Sequence, residues 1–360
     1  HNNTLDWYRD PWYLHTLAQE FNMTSVGSFI PPETKPADIS SMEFDYTMAD
    51  EMVAFAEGHD MFLYGGTGGF NTGNPLWITD GTYEEVKAYL DRKIELDLSH
   101  FKGKVVYWGM FNEVMLYNGG FKNRQQVDPL DLLYGSAYAP YGGNYSPFVD
   151  GNDTSLIEFA FTKGRSVDPE AKLFLNDYGQ ERMGEIKSEY FYNFVVDMKN
   201  RGVPIDGVGV QLHLMYPDRP GVPENMQVDL SDPEVFFTGI DQNIKRYAEA
   251  SLFVAFTEFE FQLRLDDIDF SAEAGREEYA RRVDMQAQFY ARLIQLALDN
   301  PNVPFINIWT VADKPGTSGF DWNLFDEEGA ALFTFTYTDA FLFDKHYDPK
   351  PASYAVMDLL

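Results

Sequence analysis

The chain contains no cysteine, so neither a disulfide framework nor a thiolate metal site can form. Basic residues are scarce: 27 Lys and Arg stand against 57 Asp and Glu, a formal charge of −30. Such a field repels nucleic acid, anionic membranes and polyanionic substrates, and its ordinary meaning is a well-solvated surface. No run of eighteen apolar residues occurs, so no membrane-spanning helix is expected. The six histidines form no H-E-x-x-H or other close metal spacing. A G-x-S-x-G nucleophile elbow is missing, and the glycine-rich "YGGTGGFNTGN" (64–74) lacks the lysine of a phosphate-binding loop. No metal and no cofactor is therefore expected.

The opening "HNNTLDWYRD" has no initiator Met, no basic n-region and no apolar h-region, so either a signal has been removed or the chain has been trimmed. Asn2, Asn22, Asn144 and Asn152 begin N-x-S/T sequons, weak support for secretion. The expectation is an extracellular protein, most simply a monomer.

What is present is ample material for a core: 360 residues, 44% hydrophobic and 16% aromatic. No repeat, linker or low-complexity segment interrupts them, which predicts a single domain over residues 1–360. Short apolar, β-rich runs alternate with amphipathic stretches. Strands are expected at 23–29, 61–66, 104–111, 171–176, 205–213, 252–259 and 304–311. Between them "TMADEMVAFAEG" (47–58), "YEEVKAYLDRKIEL" (83–96) and 277–300 read as helices. Apolar strands alternating with helices predict an α/β fold of parallel strands buried under helices, a (β/α)₈ TIM barrel. Seven strands are one short of that barrel, and the chain opens on a helical stretch (6–21), so a first strand is not evident. The late "ALFTFTYTDAF" (331–341) is either a surface hairpin or part of the compensation.

In such barrels the active site lies at the carboxyl ends of the strands. Reading those ends gives Asn112 and Glu113; Asn176, Asp177 and Tyr178; Gln211 and His213; Glu258 and Glu260; Trp309 and Asp313. Any one of these alone has a bland explanation, such as a solvated loop acid, a satisfied core histidine or the turn sequence "NDYG". Their recurrence on nearly every strand is what points to a site. Aromatic faces stack on sugar rings, amides and acids bind hydroxyls, and two carboxyl groups supply acid and nucleophile for glycoside cleavage. If a missing strand is counted first, Glu113 and Glu258 end strands four and seven, facing each other across a narrow mouth. A separation of roughly 5–5.5 Å would make a retaining enzyme. Their mutual repulsion would help hold one proton on the pair. His213, as a neutral imidazole, is expected to hydrogen-bond Glu258, and Asn112 to reach the sugar's 2-hydroxyl.

These motifs resemble glycoside hydrolase family 10, the endo-β-1,4-xylanases, over almost the whole chain. "YWGMFNEVM" resembles the family's W-D-V-V-N-E-A segment, which implies an acid/base role for Glu113 with Asn112 beside it. "LFVAFTEFEF" is similar to I-T-E-L-D, which implies Glu258 as nucleophile. "AKLFLNDYGQE" resembles L-Y-Y-N-D-Y-N, "PIDGVGVQLHL" resembles I-D-G-V-G-x-Q-x-H, and "IWTVADK" looks like F-W-G-V-x-D-K. These bring in Asn176, Tyr178, Gln211, His213 and Trp309. The ending "FLFDKHYDPKPASYAVMDLL" is close to the family's L-L-F-D-x-x-Y-x-P-K-P-A-Y-x-A-V.

The departures within these motifs fall on the glycone pocket, while the longer loop named last would reshape the leaving-group side. The family's E-N-E-M-K-W aligns with "PPETKP", keeping Lys35 and losing the Asn and first Glu. Its G-H-T-L-V-W-H falls on "GGTGGFN", where Gly66, Phe70 and Asn71 replace His, Trp and His. A Trp that follows the family's D-K-Y-S motif is also out of place, with Trp322 the substitute on offer. The loop at about 116–152 is longer and Tyr/Gly-rich. The resemblance thus implies a retaining hydrolase of β-1,4-xylan or a related plant or algal polysaccharide. Two other readings stay open: the same fold acting on a different glycan, and a carbohydrate-binding protein that has lost catalysis. Retention of both glutamates, Asn112 and His213 argues against the last.

Overall fold

The computed structural model describes residues 9–26, 32, 34–70, 74–122, 147–216, 233–313, 321–325 and 331–360. Helix α1 (Pro11–Glu20) starts cleanly because Asp10 accepts from the Trp12 N–H and Pro11 supplies a helical φ without needing a donor. It leads into strand β1 (Met23–Val26). Then come α2 (Thr47–Gly58), β2 (Phe62–Phe70), α3 (Tyr83–His100) and β3 (Tyr107–Asn112). The sequence "TYEE" opens α3 with a reciprocal capping box between Thr82 and Glu85. The alternation continues with α4 (Ser155–Val167), β4 (Lys172–Asp177), α5 (Ile186–Asn200) and β5 (Gly207–Val210). It ends with β6 (His213–Tyr216), α6 (Pro233–Glu249), β7 (Phe253–Arg264), α7 (Glu273–Asp299), β8 (Ile306–Ile308) and α8 (Pro351–Met357).

Strands β1, β2, β3, β4, β5, β7 and β8 pair in that order, all parallel. This is the expected TIM-barrel arrangement: the seven strands read in the sequence are the seven of this path among the described residues, and β6, just beyond β5, pairs parallel with the outer part of β7. β1 and β8 share no backbone pairing there, and a cleft lined by Tyr13, Leu17, Met23, Ser25, Ile306 and Ile308 lies between them. The late apolar stretch does not close it. Strands β9 (Asp321–Phe325) and β10 (Ala331–Thr338) form an antiparallel hairpin, and β10 joins the far end of β7.

The barrel interior below the mouth is aromatic. Tyr64, Tyr107, Phe174 and Phe305 meet there with ring centroids 4.9–6.2 Å apart. Trp108 and Met110, one residue out of phase, are fully buried on the helix side. The polar carboxyl ends of the strands therefore rest on a rigid apolar floor.

Candidate active site

On β3 the period-two alternation that sends Trp108 and Met110 outward is interrupted. A register shift between Gly109 and Phe111 occurs against β4, with a matching irregularity against β2. The next residues are thereby re-aimed: Asn112 lies in register with Asn176, and the Glu113 N–H donates to the Asn176 carbonyl at 2.9 Å. Glu113 itself sits at φ 58°, in the left-handed region. For a side chain with a Cβ this costs on the order of 1 kcal/mol or more, and it persists only where surrounding bonds enforce it. Leu212 shows the same strain at φ 61°, dividing β5 from β6 between Gln211 and His213.

The side chains at these ends form one connected chain of bonds. The Thr257 hydroxyl donates to Asn176 Oδ1 at 2.6 Å, which fixes the Asn176 amide. Its Nδ2 then donates to Asn112 Oδ1 and to Glu258 Oε1, both at 2.7 Å. Gln211 Nε2 donates to Asn112 Oδ1 at 3.0 Å and to Glu113 Oε1 at 3.1 Å. His213 lies 3.2 Å from Glu258 Oε2 through Nε2 and 2.7 Å from Glu260 Oε1 through Nδ1. Gln262 donates to the same Glu260 oxygen at 2.8 Å. Glu113 and Glu258 are thus joined through Gln211, Asn112 and Asn176. Such close approach needs Gly209, where a Cβ would lie 2.2 Å from Asn176 Oδ1.

Two electrostatic expectations are corrected. His213 is not neutral. Burial disfavours its charge, but hydrogen bonds to Glu258 and Glu260 outweigh that and push its pKa up to about 10. With a carboxylate on each ring nitrogen, both nitrogens donate and the imidazolium is the stable form. Nor does Glu113 hold a proton through repulsion in the unliganded site. Burial opposes its charge, yet Lys122, Gln211 and Lys187 together bring its pKa below the usual carboxylate value.

The remaining expected residues are placed as follows. Trp309 is 44% exposed and meets the His213 ring edge-on at 5.4 Å, leaving an aromatic surface at the mouth. Tyr178 has the Lys187 ammonium 3.5 Å and the Lys122 ammonium 4.8 Å from its ring centroid, and Tyr117 edge-on at 5.2 Å. Lys35 pairs its ammonium with Glu85, the residue that caps α3. Phe70 lies at the end of β2 in register with Asn112. Asn71 and most of the long loop lie outside the described residues. The structure adds Thr257, Lys187 and Lys122, which were not expected, and pairs Asp177, one of the expected strand-end residues, with Lys187. For Lys122 the signal was legible as "YNGGFK", an Asn-Gly turn that sends the chain back toward Glu113.

No group of three or more potential metal ligands occurs among the described residues. Paired glutamates, amides and a mouth-side tryptophan are an arrangement suited to general acid and nucleophilic chemistry on a glycoside.

Comparison with known proteins agrees. The family model described as Glycosyl hydrolase family 10 matches residues 8–359. Endo-1,4-beta-xylanase B of Thermotoga neapolitana is 27% identical over 350 residues, 97% of this chain and 83% of that protein. Beta-1,4-xylanase of Dictyoglomus thermophilum is 30% identical over 318 residues, 87% of this chain and 75% of that protein. Among solved structures, xylanase 10B from Thermotoga petrophila RKU-1, in complex with xylobiose, superposes with a TM-score of 0.71. It is 26% identical, with 99% of this chain and 91% of that one covered. A match that runs the length of the barrel and spans both glutamates leaves no other assignment: the chain belongs to glycosyl hydrolase family 10.

Proposed function

We propose that this chain is a retaining endo-β-1,4-xylanase in which Glu258 is the nucleophile and Glu113 the acid/base. The observation that carries the reading is the continuous hydrogen-bonded link from Glu113 through Gln211, Asn112 and Asn176 to Glu258. In the first half-reaction the Glu258 carboxylate attacks the anomeric carbon. The glycosidic C–O bond breaks, and Glu113 gives its proton to the departing oxygen. In the second, Glu113 as carboxylate takes a proton from water. The resulting hydroxide equivalent displaces Glu258 from the anomeric carbon, returning both carboxyl groups to their starting state with retained configuration.

The supporting residues follow from their bonds. Asn112 accepts twice on its oxygen, so its NH₂ is the group left to donate to a sugar hydroxyl. His213, positively charged, keeps Glu258 ionised and oriented between attacks. Trp309 offers a stacking face for a pyranose ring. We also read the protein as an extracellular monomer, on the sequons and the strongly acidic surface.

A second reading, the same chemistry on a different β-linked glycan, is favoured by one observation. No described atom lies within 4 Å of where a Cβ on Gly66 would stand, so this inward position leaves room for a bulkier or substituted sugar. Product analysis on β-1,4-xylan, mixed-linkage glucan and substituted xylans tests both, with Glu258→Ala as the control. Xylo-oligosaccharides formed with the β-anomer appearing first support the proposal. Inertness on xylan with turnover of another glycan decides for the second reading. Wild-type activity in Glu258→Ala removes both.

A further inference from the structure

Beyond Glu113 the chain makes a tight return. Met115 pairs antiparallel with Phe121, the Leu116 N–H donates to the Gly120 carbonyl, and Gly119 takes φ 83° at the turn. The Lys122 N–H closes the hairpin by donating to the Val114 carbonyl at 2.8 Å. The second arm therefore runs back behind the acid. It buries the Lys122 side chain to 2% exposure with its ammonium 3.5 Å from Glu113 Oε2.

The groups facing this ammonium come from four elements. Glu113 follows β3; Asp177 and Tyr178 end β4 or follow it; Lys187 comes from α5; and His213, on β6, also acts electrostatically on Glu113. Asp177 already has its own cation: Lys187 donates to it at 2.7 Å, with both side chains essentially unexposed. Among the described residues, Glu113 is the carboxylate within ion-pair distance of Lys122. A buried ammonium normally sits on a permanently ionised partner. This one is placed on the group that must gain and lose a proton in every cycle, so its partner exists only when that proton has left.

We propose that Lys122 is a positioning residue for the proton donor. Its buried ammonium stabilises the Glu113 carboxylate that forms as the proton passes to the leaving oxygen, making Glu113 a stronger acid than its half-buried position alone would allow. The inference rests on the acid/base reading of Glu113 and not on which sugar is cut. Proton transfer to a poor leaving group gains from a stronger acid, whereas a leaving group that departs without protonation does not.

The test compares Lys122→Met and Lys122→Arg with the parent enzyme. Two substrates are used: an oligosaccharide that the enzyme cleaves, xylotetraose under the reading above, and a 2,4-dinitrophenyl β-glycoside. In Lys122→Met the alkaline limb of kcat/KM is expected to move to higher pH by about one unit or more. At the parent's optimum, cleavage of the oligosaccharide falls about tenfold or more while the activated glycoside is little changed. Lys122→Arg keeps the limb where it was. An unmoved limb in folded Lys122→Met, with both substrates losing activity equally, overturns the proposal and reduces Lys122 to packing. Should Lys122→Met not fold, the unmodified protein still answers: the infrared carboxylate band that disappears in Glu113→Gln must titrate below the ordinary glutamate range. Titration above that range overturns the proposal. A Glu113→Gln enzyme that retains its alkaline limb would instead remove the acid/base reading itself, and the two failures are thereby told apart.

Discussion

Around Glu113, at the end of β3, two carboxylates meet two buried lysines; around Glu258, on β7, two carboxylates share one imidazolium. The wall of Glu113 is electrically balanced when Glu113 is ionised and carries one positive charge when it is protonated. The wall of Glu258 carries one negative charge until that glutamate forms a covalent bond, and is then balanced. Taken together, four carboxylates and three cations leave one negative charge, so a single added proton neutralises the whole. Protonated Glu113 with ionised Glu258, the state needed for the first half-reaction, is such a neutral arrangement. In a half-buried site a further unbalanced charge is costly, and this count helps limit the site to one exchangeable proton.

The comparison breaks most sharply at the nucleophile. Glu258→Ala removes the attacking group and leaves His213 with one carboxylate in place of two. Turnover on any glycan is expected to fall by roughly 10⁴-fold or more, as when other covalent catalysts lose their nucleophile. Steady-state rates of oligosaccharide cleavage check it. Glu113→Gln should be milder and substrate-dependent: a loss of about 10²–10⁴-fold for a sugar leaving group, and far less in the first half-reaction of an activated aryl glycoside. Equal losses on both substrates would mean that the two walls do not divide the labour as described. Because Lys122 and Lys187 hold the Glu113 pKa below its usual value, the donor's proton is lost as pH rises through that lowered value. The kcat/KM maximum is therefore expected on the acid side of neutrality.

Much of this asymmetry was hidden in the sequence. Residue types at strand ends were legible because apolar β-runs are easily recognised and the polar residues that stop them recur. Asn112, Asn176, Gln211, His213 and Glu258 are joined as their positions suggested. The left-handed backbone at Glu113 and the bulge before it were not legible, because they arise from pairing with two neighbouring strands at once. Lys122 is nine residues from Glu113 in sequence and becomes its neighbour only when the hairpin closes. The charge of His213 depends on Glu260, whose role is invisible until β6 is seen beside β7. For Lys35 the motif named the residue, and the structure adds its pairing with Glu85 at the start of α3, which the sequence did not show.

The wall of Glu258 also makes its own prediction about stability. The His213 pKa is raised from about 6.5 to about 10 on folding, so its interaction with Glu258 and Glu260 favours the native state fully below about pH 6.5. That contribution is lost as pH rises through about 10. Urea midpoints of the parent should fall between pH 7 and 10, by up to a few kcal/mol in unfolding free energy, while those of His213→Asn should fall less. Parallel curves for the two proteins would show that the imidazolium is not what balances this wall.

The smallest change tests whether the walls act as one site. A Cβ on Gly209 would stand 2.2 Å from Asn176 Oδ1 and 2.9 Å from Thr257 Cγ2. Asn176 is the joint, since one amide nitrogen bonds both Asn112 and Glu258. Gly209→Ala should therefore cost about 1–3 kcal/mol of stability by overpacking, and it should slow glycosylation and deglycosylation together. Gly66→Ala, on a strand of the same barrel, meets no described atom within 4 Å and is expected to change stability by less than about 0.5 kcal/mol. Thermal unfolding of the two variants, followed by burst and steady-state kinetics, separates the cases. If Gly209→Ala slowed one half-reaction alone, Asn176 would belong to a single wall, and the shared-proton argument would lose its physical link.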